Sequence, residues 1–282
     1  MGLDMMRCLV CAILVLGLAA AGAAHAQDAN PLDSVVWKKV HASVFGNAQI
    51  ESADAVVVLD TPKRAEDAAI VPLAIRARFP QTKDRYIEKI WLIIDNNPSP
   101  IAAEFSFTQE SGRADIETRV RIEEYTYVRA VALTNDGKLY MAANYVKASG
   151  GCSAPAGKDA IAARANLGKM RLRVGDVVEA GRPAVAQLMI SHPNDSGLAM
   201  DQVTRSYAIP HFVRHVEVRY GGKLVMNADV DFSISENPNF RFYFVPDGEG
   251  ELDAKVVDNE ALEFTARMKL DSARLGLAST PR

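Results

Sequence analysis

The chain has 282 residues, enough for one large domain or two of ordinary size. With 24% charged and 49% hydrophobic residues and a net charge of −3, it has the balance of a folded globular protein, which argues against a disordered chain and against a basic nucleic-acid-binding surface. Its 13 prolines and 18 glycines follow no fixed period, so collagen-like and simple repeat architectures are set aside as well.

Residues 1–26 read as an export leader and not as part of the fold. Arg7 gives a short positive start, residues 8–24 are apolar or small, and Ala24-His25-Ala26 is a small-x-small cleavage site. The expected mature chain begins at Gln27 and is periplasmic. No later apolar run approaches the roughly 18 residues of a membrane span, so no membrane attachment is expected after cleavage.

A first amphipathic segment follows at residues 33–45, where Val36, Val40 and Val44 recur at helical spacing, Asp33 stands at the N-cap and Gly46 ends the run. The pattern then shortens to strand length. Segments 55–59, 70–78, 87–94, 101–107, 116–123, 125–133 and 139–146 are rich in β-branched and aromatic residues and are separated by turn signals, Asp136-Gly137 among them. About seven short strands in some 100 residues is the expectation for an immunoglobulin-like sandwich.

Cleavage of the leader changes the cysteine arithmetic at the next segment. Of the three cysteines, Cys8 and Cys11 leave with residues 1–26, and Cys152 remains as the sole thiol. Exported proteins normally use cysteines in pairs, so a solitary one is reactive or held by another molecule, for example in a disulfide-linked dimer. The bland alternative is a buried cysteine acting as a small hydrophobe. Residues 148–157 (ASGGCSAPAG) offer almost no apolar surface and two permissive glycines, so Cys152 is expected on an exposed, flexible loop. Lys147 and Lys158 flank it, and a short helix expected over 158–166, ended by Gly168, would turn its positive end toward the thiol and favour the thiolate.

Beyond this loop the theme repeats without repeating the sequence. Segments 170–174, 185–191, 212–220, 223–229, 231–234, 240–245, 250–257 and 262–268 read as strands, with Gly221-Gly222 as a two-residue hairpin turn. The fold class expected is therefore all-β: two immunoglobulin-like sandwich domains in tandem behind a short N-terminal helix, with the junction at about residues 150–169 and a tail after residue 275.

Few other residues carry chemistry. His211 and His215 are four apart, but on a strand that spacing spans about 13 Å, too far for one ion held by bonds near 2 Å. His192 is expected to shape its own loop or to contact the arm, and His41 to lie on the polar side of the first helix. Asp229 and Asp231 share a strand face but make an incomplete cation site, and Glu123 and Glu124 point to opposite faces. No nucleophile elbow or phosphate-binding glycine loop is present. No metal, cofactor or catalytic constellation is expected.

Four motifs carry the family resemblance. The Gly150-Gly151-Cys152 triplet closes the first β-rich half, and the second half carries residues 190–198 (ISHPNDSGL), 209–212 (IPHF) and 234–240 (ISENPNF). Residues 27–275 resemble a fused SoxY–SoxZ protein of the SoxYZ-like carrier type associated with quinoprotein dehydrogenases. The resemblance implies a periplasmic carrier, acted on by sulfur-oxidising enzymes and not itself an enzyme. Thiosulfate-derived or sulfane sulfur would be attached covalently to Cys152, with Gly150 and Gly151 as the hinge of its arm. A SoxY arm ends its chain just after the cysteine, whereas here Ser153-Ala154-Pro155 leads into another domain, so the arm is tethered at both ends. The alternative function is an accessory module that docks on a periplasmic quinoprotein dehydrogenase, with the cysteine incidental.

Overall fold

The computed structural model describes residues 30–154, 165–200 and 205–276. The leader expected over residues 1–26, nearly all of the helix expected over 158–166 and the tail after residue 276 lie outside the described residues. The amino-terminal half contributes one helix, α1 (Val35–Val44), and strands β1 (Ile50–Ser52), β2 (Val57–Asp60), β3 (Val71–Ala77), β4 (Ile87–Ile94), β5 (Ile101–Phe107), β6 (Ile116–Val120), β7 (Thr126–Thr134) and β8 (Leu139–Val146). The carboxy-terminal half contributes β9 (Met170–Val174), β10 (Ala184–Ile190), β11 (Val213–Tyr220), β12 (Lys223–Val230), β13 (Asn239–Phe244), β14 (Gly250–Asp258) and β15 (Glu263–Leu270).

The fold is all-β with two sandwich halves, as expected, but the halves are not beads on a linker. One sheet runs β1-β8-β7-β4-β5-β12-β11-β14-β15 and the other β2-β3-β6-β13-β10-β9, so each sheet crosses from the first half into the second. The crossings are antiparallel ladders: Phe105 faces Ala228 between β5 and β12, and Ile116 faces Phe242 between β6 and β13. Apart, the halves would expose β5 and β6 on one side and β12 and β13 on the other as strand edges with unpaired N–H and C=O groups, and pairing them with each other removes those four edges. The inner faces then form one core. Phe240, Phe242 and Phe244 alternate into it, all of them buried, and Phe240 meets Phe105 edge to face with ring centroids 6.3 Å apart.

Local deviations from the sequence reading have simple causes. Ser34, not Asp33, caps α1: its Oγ accepts the Trp37 N–H at 3.2 Å, while Asp33 sits in a preceding 3-10 turn. Trp37 packs α1 onto the outer face of the larger sheet against Ile93, Val131 and Leu139. The short parallel strand β1 lacks any alternation that would announce it. Residues 231–234 form a turn and not a strand, because Asp231 bonds the Phe232 N–H with its own side chain and its carbonyl accepts the Ile234 N–H. The Gly221-Gly222 turn joins β11 to β12 with φ of +54° and +81°, the two left-handed positions that a type I′ hairpin requires.

Candidate functional site at the seam of the two halves

β6 ends at Val120, and the next three residues, expected to prolong the strand, leave the sheet and build the site. Arg121 N–H donates to Ser233 O at 2.7 Å and Ile122 N–H to Ala68 O at 2.8 Å. Asn97 brackets the turn: its Nδ2 donates to Arg121 O at 2.8 Å and to Ser233 Oγ at 2.9 Å, and its Oδ1 accepts the Glu123 N–H at 2.9 Å. The chain leaving β8 runs back alongside, with Gly150 N–H on Glu123 O at 2.7 Å and Gly151 N–H on Ile122 O at 2.9 Å. A Cβ at Gly151 would stand 2.0 Å from Ala68 O, so only glycine lets the chain approach this closely. Gly150 has φ +81° with open space around it and is glycine for conformation and not for room.

This segment delivers Cys152 to the seam, where residues from both halves hold it. The Glu123 carboxylate accepts the Cys152 N–H at 2.8 Å, the Ser153 N–H at 3.1 Å and the Ser153 hydroxyl. From the second half, Ser196 Oγ donates to Cys152 O at 2.5 Å. The exposed, flexible arm expected from the sequence is therefore corrected: Cys152 is buried at 0% exposure, in a docked turn. Its lack of apolar neighbours in sequence did not keep it in solvent, because polar groups of both halves satisfy the turn's backbone. Thiolate activation is corrected too. Burial, with the Glu123 charge beside it, pushes the thiol up to about 12, and the opposing effect of Arg121 is smaller.

Arg121 is the other unusual group. It is 2% exposed; Nη1 reaches Gly151 O at 3.3 Å and Nη2 reaches Asn194 O at 3.4 Å, while Nε has no hydrogen-bond partner among the described residues. Burial lowers its pKa, against the raising fields of Glu236, the Cys152 thiol, Asp195 and Asp67. Arg129, equally buried, is bound quite differently: Asp95 accepts from its Nε at 2.8 Å and its Nη2 at 2.6 Å, and Pro31 O accepts from Nη2 at 2.7 Å.

The loop that supplies Asn194 and Ser196 is braced by histidine. His192 Nδ1 accepts the Asn194 N–H at 3.1 Å, so His192 does shape its loop, and burial lowers the ring's pKa to about 4. His211 Nε2 lies 2.8 Å from Asp258 Oδ2, and His192 Nε2 lies 3.6 Å from the same oxygen. One ligand atom from each of these three residues falls within 4.8 Å of the others, the spacing of a metal site. The donor set does not fit one, however. A ligating imidazole gives its second N–H to an acceptor, whereas His192 Nδ1 already accepts a backbone N–H, which leaves the ring proton on the atom a metal would need. His215, on β11, pairs separately with Asp229 at 2.8 Å, while His211 precedes the strand and pairs with Asp258, so the two share nothing. Asp231 accepts instead from Ser99 at 2.9 Å, and the Asp229–Asp231 pair does not converge.

Sequence reasoning singled out Cys152, Gly150 and Gly151, which the fold brings together, set Glu123 aside because a strand would turn it and Glu124 to opposite faces, and missed Arg121, Ser196 and Asn97. The one available signal was Arg121, a cation inside the run Val120-Arg121-Ile122, where alternation puts apolar neighbours on either side.

Comparisons with known proteins agree with this division of the chain. The family profile described as sulfur oxidation protein SoxY matches residues 41–152, ending on the cysteine, and that of sulphur oxidation protein SoxZ matches residues 171–269. No curated protein matches the chain. Among solved structures, the sulfur carrier protein SoxY from Chlorobium limicola f thiosulfatophilum is 25% identical, with 39% of this chain and 90% of that one covered and a TM-score of 0.34. A superoxide reductase (neelaredoxin) from Ignicoccus hospitalis is 17% identical over 40% of this chain and 87% of that one, at a TM-score of 0.28. The fibronectin(III)-like modules of CbhA from Clostridium thermocellum are 11% identical over 80% and 98%, at 0.24. The two profile matches together cover most of the chain, which belongs to the SoxY and SoxZ sulfur-oxidation families, fused in that order.

Proposed function

We propose that the protein is a periplasmic carrier that holds a sulfur intermediate covalently on Cys152 and presents it to partner enzymes without catalysing a reaction of its own. The observation that carries this reading is the place of the thiol. Cys152 ends the SoxY match and is clamped at the seam by Glu123 from the SoxY half and Ser196 from the SoxZ half. These are a few polar bonds at one turn, which water can replace when the turn lifts away. Loading requires that release, since the docked thiol is buried and protonated at neutral pH. Gly150, with its left-handed φ and no neighbour within 4 Å of an added Cβ, is the pivot of the movement, and Gly151 must leave its close contact with Ala68. Cargo in this reading is thiosulfate-derived or sulfane sulfur, and the partners are sulfur-oxidising enzymes or a quinoprotein dehydrogenase system.

Intact-mass measurement of protein isolated from its natural host tests the proposal. An adduct on Cys152 that reductant removes is the expected result, and a free thiol in every molecule would count against it. The burial of Cys152 favours a second reading, an accessory module docking on a dehydrogenase with the cysteine incidental. Cys152→Ser separates the two: a carrier loses its function, while a docking module keeps most of it.

A further inference from the structure

Arg121 has the properties of an anion-binding group whose ligand is not part of the protein. A guanidinium taken out of water costs several kcal/mol unless it is paired and fully hydrogen-bonded. Arg129 meets that requirement through the two oxygens of Asp95 and the Pro31 carbonyl. Arg121, at 2% exposure, does not: its two bonds, at 3.3 and 3.4 Å, exceed the usual 2.7–3.2 Å, both acceptors are neutral carbonyls, and Nε is unpaired. The acidic groups that face it, Glu236, Asp195 and Asp67, act on it through their field. Glu123, whose charge acts on the thiol, is occupied by the Cys152 and Ser153 N–H groups and the Ser153 hydroxyl. Arg121 also holds the carbonyl of Gly151, the residue before the thiol, and the thiol and the guanidinium each shift the other's titration.

We infer that Arg121 is the counter-ion of the cargo: it binds the oxyanion end of an anionic, sulfonate-terminated adduct on Cys152 when the loaded turn docks. The inference rests on the carrier reading and deepens it by naming the residue that receives the charged end of the group carried. A sulfonate offers planar-fork donors the same paired oxygens that a carboxylate does, and it would give Arg121 the charge-assisted bonds it lacks. Arg121 then acts in specificity, favouring anionic over neutral adducts of similar length.

The test loads the full chain with two adducts that differ in charge. Tetrathionate reacts as Cys152–SH + S4O6(2−) → Cys152–S–S–SO3(−) + S2O3(2−) + H(+): the sulfur of Cys152 bonds to a central sulfur, and thiosulfate leaves with the electron pair. Methyl methanethiosulfonate reacts as Cys152–SH + CH3SO2–S–CH3 → Cys152–S–S–CH3 + CH3SO2(−) + H(+), giving a neutral adduct. Intact mass verifies loading, and melting temperatures are compared for the wild type, Arg121→Gln and Arg121→Lys. In the wild type the anionic adduct should melt higher than the neutral one by about 3 °C or more, a gap of the order expected for one charge-assisted interaction in a chain of this size. Arg121→Gln should abolish or reverse the gap, and Arg121→Lys should keep part of it. A wild-type gap that is absent or reversed, or one that survives unchanged in Arg121→Gln, overturns the inference and leaves the carrier reading standing. If neither reagent adds to Cys152 in the folded wild type, the carrier reading fails and the inference with it. Should Arg121→Gln not fold, the wild-type and Arg121→Lys gaps still decide the matter.

Discussion

The side chain of Glu123 holds the backbone of Cys152: its carboxylate accepts the Cys152 N–H at 2.8 Å and, through the same oxygen, the Ser153 N–H at 3.1 Å. Two successive N–H groups converging on one anion form a small nest, here closed by a carboxylate from the adjacent chain segment. The residue to which the carrier reading assigns the cargo is thus fixed through its main chain and not through its sulfur.

That arrangement makes thiol accessibility a measure of the clamp. With the native fold intact at pH 8, Cys152 should react with a bulky maleimide at least about 100-fold more slowly than in denaturant, since reaction needs the turn to open. Glu123→Gln keeps the shape but removes the charge from the bonds, a change worth about 1–2 kcal/mol, so labelling should accelerate about tenfold. Equal rates in both proteins would show that the turn is held by something else.

The thiol also links stability to pH. Its folded pKa, about 12, stands above the ordinary value of 9.0 because burial disfavours the thiolate. The unfolded chain therefore loses its proton first. The thiol's contribution is fully present below pH 9.0 and declines as pH rises toward 12. By pH 10.5 the wild type should have lost roughly 2 kcal/mol more than Cys152→Ala relative to pH 8, as read from denaturant midpoints. Parallel curves for the two proteins would mean that the sulfur is in contact with water.

The two glycines of the arm should respond differently to alanine. At Gly151 a Cβ would collide with the main chain at Ala68 O, 2.0 Å away, and with Ile122 O at 2.7 Å, so Gly151→Ala should undock the turn and raise maleimide labelling to near the unfolded rate. At Gly150 no atom lies within 4 Å of the new Cβ, and the cost is only that of a left-handed alanine, about 1–2 kcal/mol. A Gly151→Ala protein that labels as slowly as the wild type would contradict the docked geometry.

The shared sheets predict that the two halves unfold together. Phe105→Ala and Phe240→Ala each remove a buried ring from the seam and should each cost about 3–5 kcal/mol. Because the rings touch, the double variant should lose less than the sum of the single losses. Denaturant unfolding of the wild type should be one cooperative transition by near-UV and far-UV dichroism. Two separated transitions would show independent domains.

Much of this molecule was legible in the chain alone. Periodicity placed most of the strands, because alternation and turn chemistry are local: β4, β5, β8 and β9 fall on the expected residues, and Gly221-Gly222 makes its hairpin. The motifs of each half also identified the families. Tertiary structure alone decided how the halves meet, since β5–β12 and β6–β13 pair residues more than a hundred positions apart, and no local pattern records which edge finds which. It also decided the fate of Cys152. A segment of small and polar residues reads as solvent-exposed, yet burial is set by the groups that surround it. Arg121 and Glu123 from the segment after β6 and Ser196 from the second half meet around Cys152 only once the fold is complete.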